Sequence, residues 1–542
     1  MSETGEEVLE FIEDGETQGP LLPPPVGGLA SAPVLFREVV ALTLLVLACD
    51  LTVYRSTGYA GPGVLFLVAP LLLWLGTVRR ICDSSLWLLI PMLVSLSARL
   101  LWCGSFLAIA SGFALLVLFA MSLAGLRPYL TQAVLFASQL ITAGYRGLHH
   151  YFRTLARFTP AILRTQWFAI ALPAMTLFVF ATIFVMANPD LVKSFGENIA
   201  WFVDYIDKWL QQIQFTEILF CGFAGWIATG MLRPIIHQYH ATDHHVTVSD
   251  ISAKSPYYDA YRNTLAAVVG LFAFYLVFEF QTLWFRKFPD GFHYSGYAHE
   301  GAAWLTVALG LATLMLSLIF RGSILTDPRL SRLRTLSWIW SIENLLLAVA
   351  VFNRLSIYIG FNGMTRMRVI GMLGVASVVV GFLLVLCKIA CNHGFTWLIR
   401  RQLWTVAFAV FLYAVLPVDA FVNQFNVKRI MAGDPRPSVQ ISWHPTSDEG
   451  FLRLLPLIDC SNPIIKDGIR GMLDEKLSQL ETERESEQSQ SWTAKQIATD
   501  QLVAQLRTAK PRWSSDRWWS STNFSPRQAV IERFRQYAFQ WY

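Results

Sequence analysis

The chain has 542 residues, 54% hydrophobic and 15% charged, with a formal net charge of +5. Soluble domains carry about 25% charged residues, so this composition excludes an ordinary water-soluble globule. The basic excess lies in short connections between apolar runs, which argues for membrane topology and against a nucleic-acid surface.

Residues 1–34 carry Glu3, Glu6, Glu7, Glu10, Glu13, Asp14 and Glu16 and no base, followed by a Pro/Gly-rich run. Such a segment cannot bury a core and is expected to be disordered. No basic region with an apolar run close behind it follows Met1, so the expectation is an uncleaved first anchor rather than a signal peptide. About eleven apolar stretches then fill the chain to residue 420, each long enough to cross about 30 Å of hydrocarbon. They run over 36–54, 62–78, 84–102, 104–124, 166–187, 214–231, 261–284, 299–320, 337–358, 369–390 and 402–420. The third and fourth almost touch, which predicts a tight hairpin.

Two connections read as amphipathic helices. Residues 128–158 mix Leu135, Leu140 and Leu148 with basic residues, as expected of a helix on the inner leaflet, with a solvated loop as the alternative. Residues 197–213 space Trp201, Tyr205 and Trp209 by four, as expected of an interfacial helix on the outer surface. Basic residues concentrate after spans two (Arg79, Arg80), four (Arg127, Arg146, Arg153, Arg157, Arg164), eight (Arg321, Arg329, Arg332, Arg334) and ten (Lys388, Arg400, Arg401). The connection after span five is acidic. The charge rule therefore predicts a multi-pass membrane protein with its N-terminus inside and its C-terminus outside. One loop, 359–368, is discordant because it places Arg366 and Arg368 outside.

Residues 421–542 are soluble in composition and predict a small, mainly helical extramembrane region. Residues 474–506 read as helix, 437–445 as a short strand, and a last helix starts at Ser525 followed by Pro526. The expected fold class is thus all-α: a polytopic transmembrane bundle with a helical C-terminal region.

No P-loop, kinase set, GxSxG or HExxH occurs, and no CxxC, so catalysis, metal and cofactor are not indicated. Cys387 and Cys391, four apart, read as packing. The run His237, His240, Asp243, His244, His245 reads as a solvated loop, with a metal face as the alternative. The small residues of 222–230 suit close helix packing. Ionisable residues inside spans are costly and often functional. Asp50, Arg99, Glu279, Arg354 and Asp419 fall toward one end of their spans, with Tyr297, His299, Glu300, Tyr358, Arg366 and Arg368 at the same end. They form either a polar vestibule, where Glu279, Glu300 and Asp419 meet Arg354, Arg366 and Arg368, or snorkelling and structural pairs. Glu343 stands apart, near the other end of span nine. It is either functional or hydrogen-bonded between helices with Asn344 nearby.

FEFQTLWF (278–285), FHYSGYAHEGAAWLTVALG (292–310), NRLSIYIGFNGMTRMRVIGM (353–372) and VDAFVNQFNVKRIMAG (418–433) occur in this order. Together with WLIRRQLWTVAF (397–408) and SWHPTSDEGFLRLLPLID (442–459), they resemble a bacterial family, domain of unknown function 4173, over roughly 260–530. Arg354, Tyr358, Gly363, Thr365, Arg368, Asp419, Asn426 and Arg429 fit its motifs. Met364 replaces a usual Leu, and His299-Glu300 stand where arginines are common. The resemblance implies a multi-pass bacterial membrane protein and supplies no reaction. A membrane-embedded enzyme acting on a lipid-linked substrate rests only on the carboxylate–arginine set and ranks last, behind two other functions. One is an envelope scaffold whose tail binds an extracytoplasmic protein through Trp513, Trp518, Trp519 and Trp541. The other is a carrier of a small or lipidic solute using the polar vestibule. The lipid bilayer is the expected partner in either case.

Overall fold

The computed structural model describes residues 33–77, 84–158, 172–177, 180, 214–235, 255–281, 294–320, 324, 327–391, 393–485, 491–514 and 524–541. Among these residues the elements are helical and no strand occurs. The first half contributes α1 (Phe36–Cys49, continued by a π-turn to Tyr54), α2 (Ala60–Gly76), α3 (Leu86–Cys103), α4 (Phe106–Leu123), α5 (Leu130–Phe158) and α6 (Phe215–Leu232). The second contributes α7 (Tyr258–Glu279), α8 (Tyr294–Ile319), α9 (Leu330–Asn362), α10 (Arg366–Cys391) and α11 (Phe395–Val415).

Seven of these helices are long and apolar enough to cross a membrane, and α2 and the Trp304–Ile319 part of α8 are shorter apolar helices. Their outward faces carry Trp87, Phe223, Phe274 and Trp304, all strongly exposed. Water would penalise such a surface, so it marks a membrane protein. The predicted hairpin forms between α3 and α4. Ser105 caps α4 by accepting from the Ala108 N–H, and only Gly104 and Ser105 separate the helices.

Two apolar cores result. Leu65, Phe66, Leu89, Leu96 and Leu116 hold α2, α3 and α4 together, with α1, α5 and α6 against them. Leu265, Leu316, Leu333, Trp340 and Val385 hold α7 to α10. Helix α11 joins the halves, with Leu398 in the second core and Ala414 in the first. Residues 130–158 do form a helix, but α5 packs tightly on α6. A side chain at Gly144 would overlap Trp226, and one at Gly230 would overlap the Leu140 carbonyl. The α5–α6 contact is thus helix on helix, which the amphipathic pattern did not reveal. A buried Glu38–Arg233 pair with the Tyr151 hydroxyl ties α1, α5 and α6 at the other end. Lys388, read from sequence as a loop charge, is buried and donates to the Ser317 and Phe320 carbonyls at the end of α8.

Beyond α11 the chain forms α12 (Val418–Met431), α13 (Ser438–Trp443), α14 (Asp448–Leu452), α15 (Pro463–Glu485), α16 (Ile497–Ala509), α17 (Pro511–Ser514) and α18 (Phe524–Phe539). They surround a core of Leu454, Leu473, Leu502, Trp513 and Phe534. Three sequence readings change here. The expected strand at 437–445 is the helix α13, since Val439, Gln440, Ile441 and Ser442 are all buried and their alternation carried no facing information. The expected helix over 474–506 is two helices, separated by a Ser491-capped turn at Trp492–Ala494. The last helix starts at Phe524, one residue before the expected Ser525.

The described residues from Val418 onward cover one end of the bundle. The Thr57 N–H donates to Thr493 Oγ1 at 3.2 Å and the Gly104 N–H to Gln496 Oε1 at 2.8 Å. Arg99 of α3 forms a forked pair with Glu449, at 2.6 Å for Nη2–Oε1, and Trp102 Nε1 donates to the same carboxylate at 3.2 Å. Glu449 is buried, so this is a desolvated, hydrogen-bonded anchor and not a surface pair.

Predicted span five (166–187) lies outside the described residues except for 172–177 and Phe180, which are helical. The segment 197–213, the histidine run 237–245, residues 1–32, Trp518 and Trp519 also lie outside them.

Candidate functional site

The 33 residues of α9 extend for about 50 Å, well beyond a bilayer core of about 30 Å. The discordant loop 359–368 therefore contracts to Gly363–Thr365, and Arg366 and Arg368 open α10 instead of lying in a loop. Gly363 makes the turn possible, with φ of +91°. A Cβ there would also lie 2.6 Å from Asn426 Oδ1. Asn426, fully buried, clamps the turn from α12. Its Oδ1 accepts the Met364 N–H at 2.7 Å and its Nδ2 donates to the Met364 carbonyl at 2.9 Å. Arg429 closes the end of α9 by donating to the carbonyls of Ile359 and Gly360 at 2.9 and 2.6 Å.

Asp419 was expected at the end of span eleven. Instead, Leu416 and Pro417 break the chain after α11 and Asp419 begins α12. It pairs in a fork with Arg366 and accepts the Ser447 N–H at 2.7 Å. Burial alone would raise the Asp419 carboxyl, but the bonds from Arg366 and Ser447 outweigh it and hold the group below its ordinary value. The Arg354–Glu279 pair is buried between α7 and α9, with Nε–Oε1 at 2.6 Å and the Tyr275 hydroxyl donating to Oε2 at 3.0 Å.

A cavity of about 870 Å³ opens where α8, α9, α10 and α12 meet the covering region. Its lining is graded along the helices. On α9, Asn362 and Tyr358 lie at the capped end, and Leu355 and Val351 follow on the same face. On α10, Arg366 and Arg368 are followed by the apolar Gly371, Gly374 and Val375, so the lining passes from charged to apolar over about 14 Å of helix. Asp419, Asn423, Gln440 and His444 close the capped end. Val307, Met367 and Ile370 line it and are strongly exposed. The apolar part of the cavity is therefore not sealed. Arg368 is 6% exposed, with its guanidinium 3.8 Å from the Tyr358 ring centre and Nη1 donating to the Gly363 carbonyl.

Of the residues singled out from sequence, Tyr358, Arg366, Arg368 and Asp419 meet at this cavity. Glu279 and Arg354 pair with each other beside it. Tyr297 and Glu300 fall in the first turns of α8, and their side chains lie outside the described residues. Glu343 is half-buried, away from the cavity, and its Oε2 has no hydrogen-bond partner. Asn344 donates to the Trp340 carbonyl of its own helix at 2.8 Å. Sequence reasoning missed Asn362, Asn423, Gln440 and His444. Asn362 was reachable, since it continues the Val351, Leu355, Tyr358 stripe by one turn. His444 had no local signal, because only the return of the C-terminal region brings it to the cavity. Among the described residues no group of His, Cys, Asp or Glu is arranged to hold a metal.

Fold and site together define a helical membrane protein with an amphipathic cavity under a helical cover. The chain belongs to the family described as "Domain of unknown function (DUF4153)", whose model matches residues 71–442. This corrects the resemblance to family 4173. The matched region begins far upstream of the motifs that carried that likeness and ends before most of the tail. No curated protein and no solved structure matches the chain.

Proposed function

We propose that this protein is a membrane carrier of a small amphiphilic solute, held in the cavity with its head at the capped end and its tail between α8, α9 and α10. The single observation behind this is the gradation of the lining from Arg366, Arg368 and Asn423 to Leu355, Val351 and Val375 in one volume. Its size falls within the range of about 300–1,000 Å³ usual for small-molecule sites. The exposed apolar lining residues Val307, Met367 and Ile370 support entry from the bilayer. On the charge rule, the capped end faces the extracytoplasmic side of a bacterial cytoplasmic membrane, which is part of this proposal.

The scaffolding alternative rested on exposed tail tryptophans. Trp513 is a core residue and Trp541 packs partly against that core, so this motive weakens and the carrier reading leads.

Filling the cavity tests the proposal. A Cβ at Gly374 meets nothing within 4 Å, and one at Gly371 meets only Leu355 at 3.8 Å. Gly374→Leu with Gly371→Leu is expected to occupy the cavity without disturbing the fold. The full chain purified in mild detergent should lose its co-purifying amphiphile, measured by mass spectrometry, while its melting temperature stays within a few degrees. Unchanged amphiphile content in this variant would reject the carrier reading.

A further inference from the structure

Resting on the carrier reading above, we infer that the head of the solute is an anion carrying a hydrogen-bond donor, the chemistry of an anionic phospholipid with a hydroxylated headgroup. Arg368 takes the anion and Asn362 takes the donor.

Three buried or half-buried arginines at this end each have a carboxylate: Arg354 has Glu279, Arg366 has Asp419, and Arg99 has Glu449. Arg368 is as buried as these, yet its partners are the Tyr358 ring and the Gly363 carbonyl, and no carboxylate among the described residues pairs with it. A buried guanidinium without a counter-charge is costly unless an anion completes it. The cavity is where that anion fits, since Arg368 lines it. Two arginines and one aspartate line the cavity, so the lining is positive once Asp419 has neutralised Arg366.

Asn362 adds an independent observation. It is 3% exposed and lines the same cavity, and its Oδ1 accepts no hydrogen bond. A buried amide oxygen left without a donor calls for one from a ligand. The N-terminus of the 26-residue α10 lies at the same place and favours negative charge. The apolar wall of Leu355, Val351 and Val375 then selects an acyl chain over a wholly polar anion.

The experiment uses the full chain, delipidated in a non-ionic detergent. It is titrated with phosphatidylglycerol, with phosphatidylcholine of the same acyl chains, and with glycerol 3-phosphate, and bound fractions are read by native mass spectrometry. Phosphatidylglycerol is expected to bind about tenfold more tightly than phosphatidylcholine, the factor one charged hydrogen bond supplies. Arg368→Gln is expected to abolish that preference while still binding phosphatidylcholine, and Arg368→Lys to keep most of it. Equal binding of both lipids by the unmodified protein overturns this inference and leaves the carrier reading standing. Binding of neither lipid overturns both. Glycerol 3-phosphate binding as tightly as phosphatidylglycerol supports the anion site but overturns its assignment to a lipid. Should Arg368→Gln fail to accumulate, the lipid comparison on the unmodified protein decides alone.

Discussion

Replacing Glu279 by Gln should destabilise the bundle far more than removing the whole Glu279–Arg354 pair. Glu279 is 0% and Arg354 5% exposed, and the pair makes two charged hydrogen bonds between α7 and α9. Glu279→Gln leaves the Arg354 guanidinium buried without its counter-charge, which costs about 3–5 kcal/mol. Two charged hydrogen bonds at about 1.5–3 kcal/mol each give about 3–6 kcal/mol, which overlaps that range. At about 2 °C per kcal/mol, the melting temperature should fall by about 6–10 °C. The double replacement Glu279→Leu with Arg354→Met removes both charges and keeps the apolar bulk. It should stay within about 1–2 kcal/mol of the unmodified protein, because neither ion then has to be desolvated. Thermal unfolding of the purified full chain in detergent, followed by reaction of its buried cysteines with a thiol-reactive dye, measures both effects. A Glu279→Gln protein melting within 2 °C of the unmodified one would refute the reasoning, and so would a double variant less stable than Glu279→Gln.

The turn between α9 and α10 should be equally sensitive. Asn426→Ala orphans the buried N–H and carbonyl of Met364 and is expected to cost about 2–4 kcal/mol in the same melt. Acidification should act in two windows set by His444 and the aspartates. Burial, then the charges of Arg368 and Arg366, lowers His444 from 6.5. The unfolded chain therefore takes that proton first, and stability falls as pH drops below about 6.5. His444→Gln should remove that part of the slope. Asp419 and Asp434 are held below 3.8, as bonds from Arg366 and Ser447, and from Arg436 and Arg429, outweigh burial. Their stabilisation is full above about pH 5 and is lost as pH falls through their lowered values. Melting temperature against pH for His444→Gln and Asp434→Asn checks both windows, and a profile unchanged by either substitution would contradict the assignment.

The helical class, the α3–α4 hairpin and the apolar character of the helices were legible in the sequence, because hydropathy and helical length are local properties that a bilayer makes decisive. So were Tyr358, Arg366, Arg368 and Asp419 as members of one polar end, since ionisable groups stand out against apolar runs. Tertiary structure alone decided how they are used. Pairing Arg366 with Asp419 and Arg354 with Glu279 leaves Arg368, of these three, with no carboxylate partner among the described residues, and no spacing rule distinguishes these arginines. Asn426 closing the Gly363 turn, Glu449 anchoring the cover to Arg99 and His444 reaching the cavity all join residues tens to hundreds of positions apart. Periodicity tells which face of a helix is apolar; only packing determines which helix, or which polar partner, that face meets.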